Sequence, residues 1–72
     1  MKEERNRLRA MEKIYVVFDP VSDSHRVEYL DLNDPEDVSY LEKRGILSYA
    51  IYETESEAEA ERLVKELEAM RR

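Results

Sequence analysis

The chain has 72 residues, 42% of them charged, with a formal net charge of −6 and no cysteine. A chain this short hides only about 60% of its unfolded surface and is expected to form one domain, 1–72, with neither disulfides nor a thiolate metal site to reinforce it. The acid is concentrated, since residues 14–70 hold 15 acidic and five basic side chains, and such a field argues against nucleic-acid binding through the body of the domain.

Residues 2–12, KEERNRLRAME, read as a helix. It is a weak amphipath, in which Leu8 and Met11 sit three apart and Glu3–Arg7 forms an i,i+4 pair. We expect 1–12 to be a helical appendage on a ββαβα core spanning 13–72. Residues 13–18, KIYVVF, are β-branched and aromatic without polar alternation, so this strand is expected to be buried on both faces and central. Asp19-Pro20 ends it, because proline cannot donate to a ladder and Asp favours turns.

A second strand is predicted from His25 to about Leu32, with Val27 and Tyr29 on one face and Arg26 and Glu28 on the other. The pattern slips at Tyr29-Leu30, where a bulge or an early strand end is expected. The stretch NDPEDVSYLEKRGI, 33–46, then spells out a helix from start to stop. Asp34 is the N-cap, Pro35 takes the first position with its preset φ, and Glu36 and Asp37 complement the macrodipole. Asp37 is placed to close a capping box. Val38 and Leu41 face inward, Gly45 takes the left-handed position, and Ile46 packs back in a Schellman motif.

Residues 46–53, ILSYAIYE, alternate as a third strand, with Leu47, Tyr49 and Ile51 on one face and Ser48, Ala50 and Tyr52 on the other. Thr54 or Ser56 caps the last helix, with Glu57 or Glu59 as capping-box partner. In that helix Ala60, Leu63, Val64, Leu67 and Met70 recur at helical spacing. The connection 33–45 is long enough for a helical crossover, so strands two and three run parallel. Placing strand one in the gap gives the order 2-1-3, with 1-2-3 the runner-up. The predicted class is α+β, α-β-β-α-β-α, a three-stranded mixed sheet packed with two to three helices.

The letters that suggest chemistry fail on geometry. Ser22-Asp23-Ser24-His25 contains the residues of a triad, but consecutive residues in one turn cannot line up nucleophile, base and orienting carboxylate. His25 is the one histidine of the sequence and is expected to be a solvent-facing turn residue. Asp31, Asn33, Asp37 and Glu42 match part of a calcium-loop count, yet Pro35 and Glu36 stand where a ligand and the glycine turn are required. Glu53, Glu55, Glu57, Glu59 and Glu61 diverge around a helix and lack the Glu-x-x-His partners of a dinuclear site. No enzyme, metal, cofactor or small-molecule substrate is predicted.

If Ile14, Val16 and Phe18 line the face covered by the two later helices, the other face shows Tyr15, Val17, Ala50 and Tyr52. That surface is too apolar to leave in water. Either the N-terminal helix lays Leu8 and Met11 across it, or a partner covers it. Tyr40, beside the inward stripe of its helix, is a further candidate contact. The longest apolar run, Ile14 to Phe18, is far short of the ~20 residues of a bilayer crossing, and no apolar h-region follows the basic N-terminus. A soluble, cytoplasmic protein without a membrane partner is expected.

SYAIYETESEAEAERLVKEL, 48–67, resembles the strand-then-helix unit of ferredoxin-like domains, but lacks the basic and glycine residues between aromatics that mark RNA-recognition motifs. DPEDVSYLEKRGI and SEAEAERLVKELEAM resemble segments of computationally designed α/β mini-proteins, in which every cap and turn is filled by rule. The absence of Gln and Trp and the single glycine fit that style, and also fit thermophile proteins. Three functions follow in order. The first is a non-catalytic scaffold or protein-binding module of designed origin, acting through the apolar and tyrosine surface. The second is a small natural regulatory protein that homodimerises through its second sheet face or a sheet edge. The last is nucleic-acid binding through Lys2, Arg5, Arg7 and Arg9.

Overall fold

The computed structural model describes residues 11–71. The helix expected over 2–12 therefore lies, up to residue 10, outside the described residues. Within them the chain forms β1 (Lys13–Asp19), β2 (Ser24–Leu30), α1 (Pro35–Arg44), β3 (Ile51–Thr54) and α2 (Glu57–Met70), with a short 3-10 turn at Ser48–Ala50. The sheet order is β2-β1-β3 and both ladders are antiparallel. The sheet is therefore antiparallel throughout and not the mixed sheet expected, because β2 and β3, which point the same way, are separated by β1 and form no ladder with each other.

β1 is central, and its neighbours Val16 and Val17 point to opposite faces with no solvent exposure. The register pairs Val16 with Val27 and Tyr52, and Val17 with Arg26 and Ile51. Side chains alternate across a strand. One face therefore carries Ile14, Val16, Phe18, Val27, Tyr29 and Tyr52; the other carries Tyr15, Val17, Asp19, Arg26, Glu28, Leu30 and Ile51. Helix α2 covers the first face and lies closest along β2. Helix α1 covers the second, where Tyr15, Val17, Leu30, Leu41 and Ile46 form a buried cluster flanked by Tyr40 and Ile51.

This corrects the expected arrangement of faces. Tyr15 and Val17 are interior, beneath α1, so neither is an open contact residue. Ile51 and Tyr52 exchange faces relative to the expectation, because a one-residue difference in register moves every side chain to the other side. The third strand is also shorter than ILSYAIYE. The Ala50 N–H donates to the Leu47 carbonyl (2.8 Å) and the Ile51 N–H to the Ser48 carbonyl, a tight turn that carries the chain from Gly45 to the sheet.

The cap chemistry of α1 follows from its letters. The Asp34 carboxylate accepts the Glu36 N–H (3.0 Å), and Gly45 adopts φ 74°. The N–H groups of Gly45 and Ile46 donate to the carbonyls of Glu42 and Leu41, both at 3.0 Å, which is the bond pair of a Schellman motif. Asp37 does not close a box on Asp34; its Oδ2 accepts the Asp31 N–H (2.7 Å) and so ends β2 at Leu30. At α2, Ser56 is the cap, its Oγ accepting the Glu59 N–H (3.1 Å), while the Glu59 carboxylate reaches back to the Glu55 N–H (2.8 Å). Thr54 instead ties β3 to β1 by donating to the Ile14 carbonyl (2.9 Å).

Candidate functional site

Three clusters of side chains stand out, and they differ in what they offer. The first surrounds Asp19, which is fully buried at the end of β1. Its Oδ1 accepts the Val21 N–H (2.8 Å), the bond of an Asx turn. Its Oδ2 accepts from Arg26 Nη1 and from Arg44 Nε, the latter at 2.6 Å. Arg26 also donates through Nε to Glu28 Oε2 (2.7 Å) and through Nη2 to the Tyr40 oxygen. Tyr40 donates in turn to Glu28 Oε2 (2.8 Å). Five side chains from β1, β2 and α1 thus satisfy one another.

The electrostatics follow from that arrangement. Burial alone would raise the Asp19 carboxyl, but hydrogen bonds from Arg26, Arg44 and the Val21 N–H outweigh it and hold the pKa at about 2. Burial opposes the charge on Arg26, yet bonds to Asp19, Glu28 and Tyr40 raise its pKa. The Tyr40 phenol is raised, first by burial and then by its bond to Glu28. Asp19, Arg26 and Tyr40 are therefore held away from titration near neutral pH, whereas general acid–base work favours a pKa close to the operating pH. The network clamps α1 to the sheet.

The second cluster joins the β1–β2 turn to the end of α2. Glu68 Oε2 accepts both the His25 N–H (2.6 Å) and a bond with His25 Nδ1 (2.7 Å). The Glu68 carboxyl is lowered, chiefly by that backbone N–H. Arg71 donates to Asp23 Oδ1 (2.7 Å) and to the Asp23 carbonyl (3.0 Å). Its guanidinium lies 5.0 Å from the Phe18 ring centroid, and the Phe18 and His25 rings meet edge to face at 5.1 Å. His25 is therefore not the solvent-facing turn residue expected, since 9% of its side chain is exposed. Ser22 Oγ and Ser24 Oγ pair with each other at 3.0 Å. Asp23, at φ 56°, is turned towards Arg71.

The third cluster is apolar and open. At the end of the sheet where β1 stops and β3 begins, Phe18, Pro20, Gly45, Leu47, Tyr49 and Ala50 line a shallow cleft of about 150 Å³. Leu47 is 52% and Tyr49 80% exposed. Tyr52 follows on the Phe18 side of the sheet at 38% exposure, because α2 leans towards β2 and away from β3.

Of the contact residues predicted from sequence, Ala50 lines this cleft and Tyr52, outside its lining, is exposed on the neighbouring sheet face. The structure leaves Tyr40 half-buried in the ion network and places Tyr15 and Val17 in the core. In the sequence Leu47 and Tyr49 alternate with Ile51 as one face of a strand, and a three-residue turn leaves no mark on that pattern. Asp19 reads there as turn punctuation. The signal that would have found it is the hairpin register, which sets Asp19 diagonal to Arg26 on one face. No protein-family model, curated protein or solved structure matches the chain.

Proposed function

We propose that the protein is a non-catalytic scaffold or protein-binding module that meets a protein partner through the rim of Leu47, Tyr49, Ala50 and Tyr52. The observation that carries this reading is the 80% exposure of Tyr49 beside a cleft lined by Phe18, Pro20 and Leu47. A tyrosine buries a large, rigid area at low entropic cost, and tyrosines are enriched among the residues that dominate binding energies. The acid and base side chains of the other two clusters are bonded to one another, which supports a role without catalysis. A designed origin is supported by the caps of α1 and α2, where Asp34, Gly45 and Ser56 each fill the position the rules assign.

The test is the double variant Leu47→Ser, Tyr49→Ser. Both side chains are exposed, so the melting temperature is expected to stay within ~2 °C of wild type. A photo-crosslinker at position 52 should capture a discrete protein that the double variant loses. If wild type and variant give the same crosslinks, the rim is not the contact. A crosslinked dimer of this chain, with matching sedimentation at high concentration, would instead make the rim a homodimer interface.

A further inference from the structure

Among the described residues, the outer edge of β2 is occupied at both ends and open between them. The His25 N–H donates to Glu68 Oε2 at 2.6 Å and so points away from β1. Backbone groups alternate in direction along an antiparallel strand. The N–H and C=O of Val27 and Tyr29 therefore point outwards too. The next group of that parity, the Asp31 N–H, is taken by Asp37 Oδ2 at 2.7 Å. Glu68 and Asp37 thus stop the edge at either end and leave a short window from Val27 to Tyr29.

The edge of β3 has no comparable window. By the same alternation Ile51 and Glu53 face outwards there. The Ile51 N–H is bonded to the Ser48 carbonyl, and the following Glu55 N–H to Glu59 Oε1 at 2.8 Å. Glu53 stands alone between two occupied rungs.

Beside the β2 window runs a groove of about 340 Å³ between β2 and α2, lined by His25, Arg26, Val27, Glu61, Val64 and Lys65. Glu61 borders it, and Glu57, one turn earlier on α2, lies near enough to Tyr29 to help burial raise its phenol. Lys65 opposes this pair, and Arg26 has its guanidinium committed to Asp19, Glu28 and Tyr40 on the opposite face of the sheet. The local field is acidic, as is that of residues 14–70 as a whole.

We propose that this window is a docking site for a short extended segment of a protein partner bearing lysine or arginine. Such a segment adds to the edge of β2, pairs its backbone with Val27 and Tyr29, and lays one row of alternate side chains, apolar residues around a cation, over Val27, Val64 and Glu61. Three features select this occupant. Free strand-edge groups are matched by an extended backbone, whereas a helix has its own already paired. The carboxylates at His25 and Asp31 limit the pairing to about three residues, since strand groups of one parity recur every second residue. Glu57 and Glu61 favour a cation, whereas a second copy of this chain brings the same acid and the same stopped edge. The site is separate from the Leu47–Tyr52 rim and does not rest on it.

The test titrates the acetylated, amidated peptide VTKTV, whose two valines and lysine share one face of a strand, into the ¹⁵N-labelled full chain. Saturable shifts and slowed hydrogen exchange are expected at the Val27 and Tyr29 amides. They should be absent with VTETV and with VTKTV N-methylated on its pairing edge. Glu61→Lys should weaken binding about tenfold at low ionic strength, and the difference should vanish near ~1 M salt, where screening acts within ~3 Å. The proposal is overturned by no saturable shift at these amides up to ~5 mM peptide, or by equal binding of the N-methylated peptide. It is also overturned if deleting residues 1–10 shifts the same amides, which makes the chain's own basic segment the occupant, or if sedimentation shows a second copy paired there.

Discussion

Asp19 shows how one residue's surroundings overrule its type. A carboxylate taken wholly out of water costs several kcal/mol unless its partners repay it; here Arg26, Arg44 and the Val21 N–H do so. The folded pKa of about 2 lies below the ordinary 3.8, so the stabilisation is present above about pH 4 and is lost as the pH falls towards 2. Glu68, also lowered, acts in the same direction. On the alkaline side the phenols of Tyr15, Tyr29 and Tyr40 are raised above 10.0, first by burial, so what they add is intact below about pH 10 and lost above it. A denaturation midpoint followed across pH should therefore be flat between about 5 and 9 and fall steeply below about 4. Asp19→Asn should cost about 3 kcal/mol, the low end for a broken buried pair, because both arginines keep part of their side chains in water. It should also flatten the acid limb. An unchanged acid limb in Asp19→Asn would assign the transition to another group.

The elements were legible to very different degrees. α1 could be read position by position, because capping and termination depend on side chains within four residues of the helix end. Gly45 sits at φ 74°, where an added Cβ would meet Pro20 Cγ at 3.5 Å, an ordinary contact. The penalty for substitution is therefore conformational rather than steric. Gly45→Ala is expected to cost about 1 kcal/mol and Gly45→Val about 2 kcal/mol. D-alanine, whose preferred φ is positive, should leave the melting temperature at or above wild type. Equal losses for L- and D-alanine would point to crowding instead. β2 ended early, as the slip at Tyr29-Leu30 suggested. The start of β3 was not legible, since Leu47-Tyr49-Ile51 alternates as a strand does while the chain is still turning.

For the whole molecule, the order β2-β1-β3 followed from connection lengths and from the two-sided apolarity of KIYVVF. Which helix covers which face did not, because β1 offers Val16 and Val17 equally to either side. Among the described residues, α1 lies over Tyr15 and Val17 and α2 over Val16. Leu41 is the main apolar side chain that α1 contributes to that packing. Leu41→Ala should cost about 3 kcal/mol. Small cores supply only ~3–5 kcal/mol in total, so circular dichroism should show this variant melting well below wild type and partly unfolded at 37 °C. Leu47→Ala, at an exposed position, should change stability by less than about 0.5 kcal/mol. Similar losses at the two positions would contradict the placement of α1 on the sheet.

Arg71 reaches 48 positions back along the chain to hold Asp23 while lying over Phe18. This latch changes how load enters the fold. Tension applied at the C-terminus, by a tether or a fused cargo, meets that contact before it reaches the turns of α2, and an exposed pair adds at most about 1 kcal/mol of resistance there.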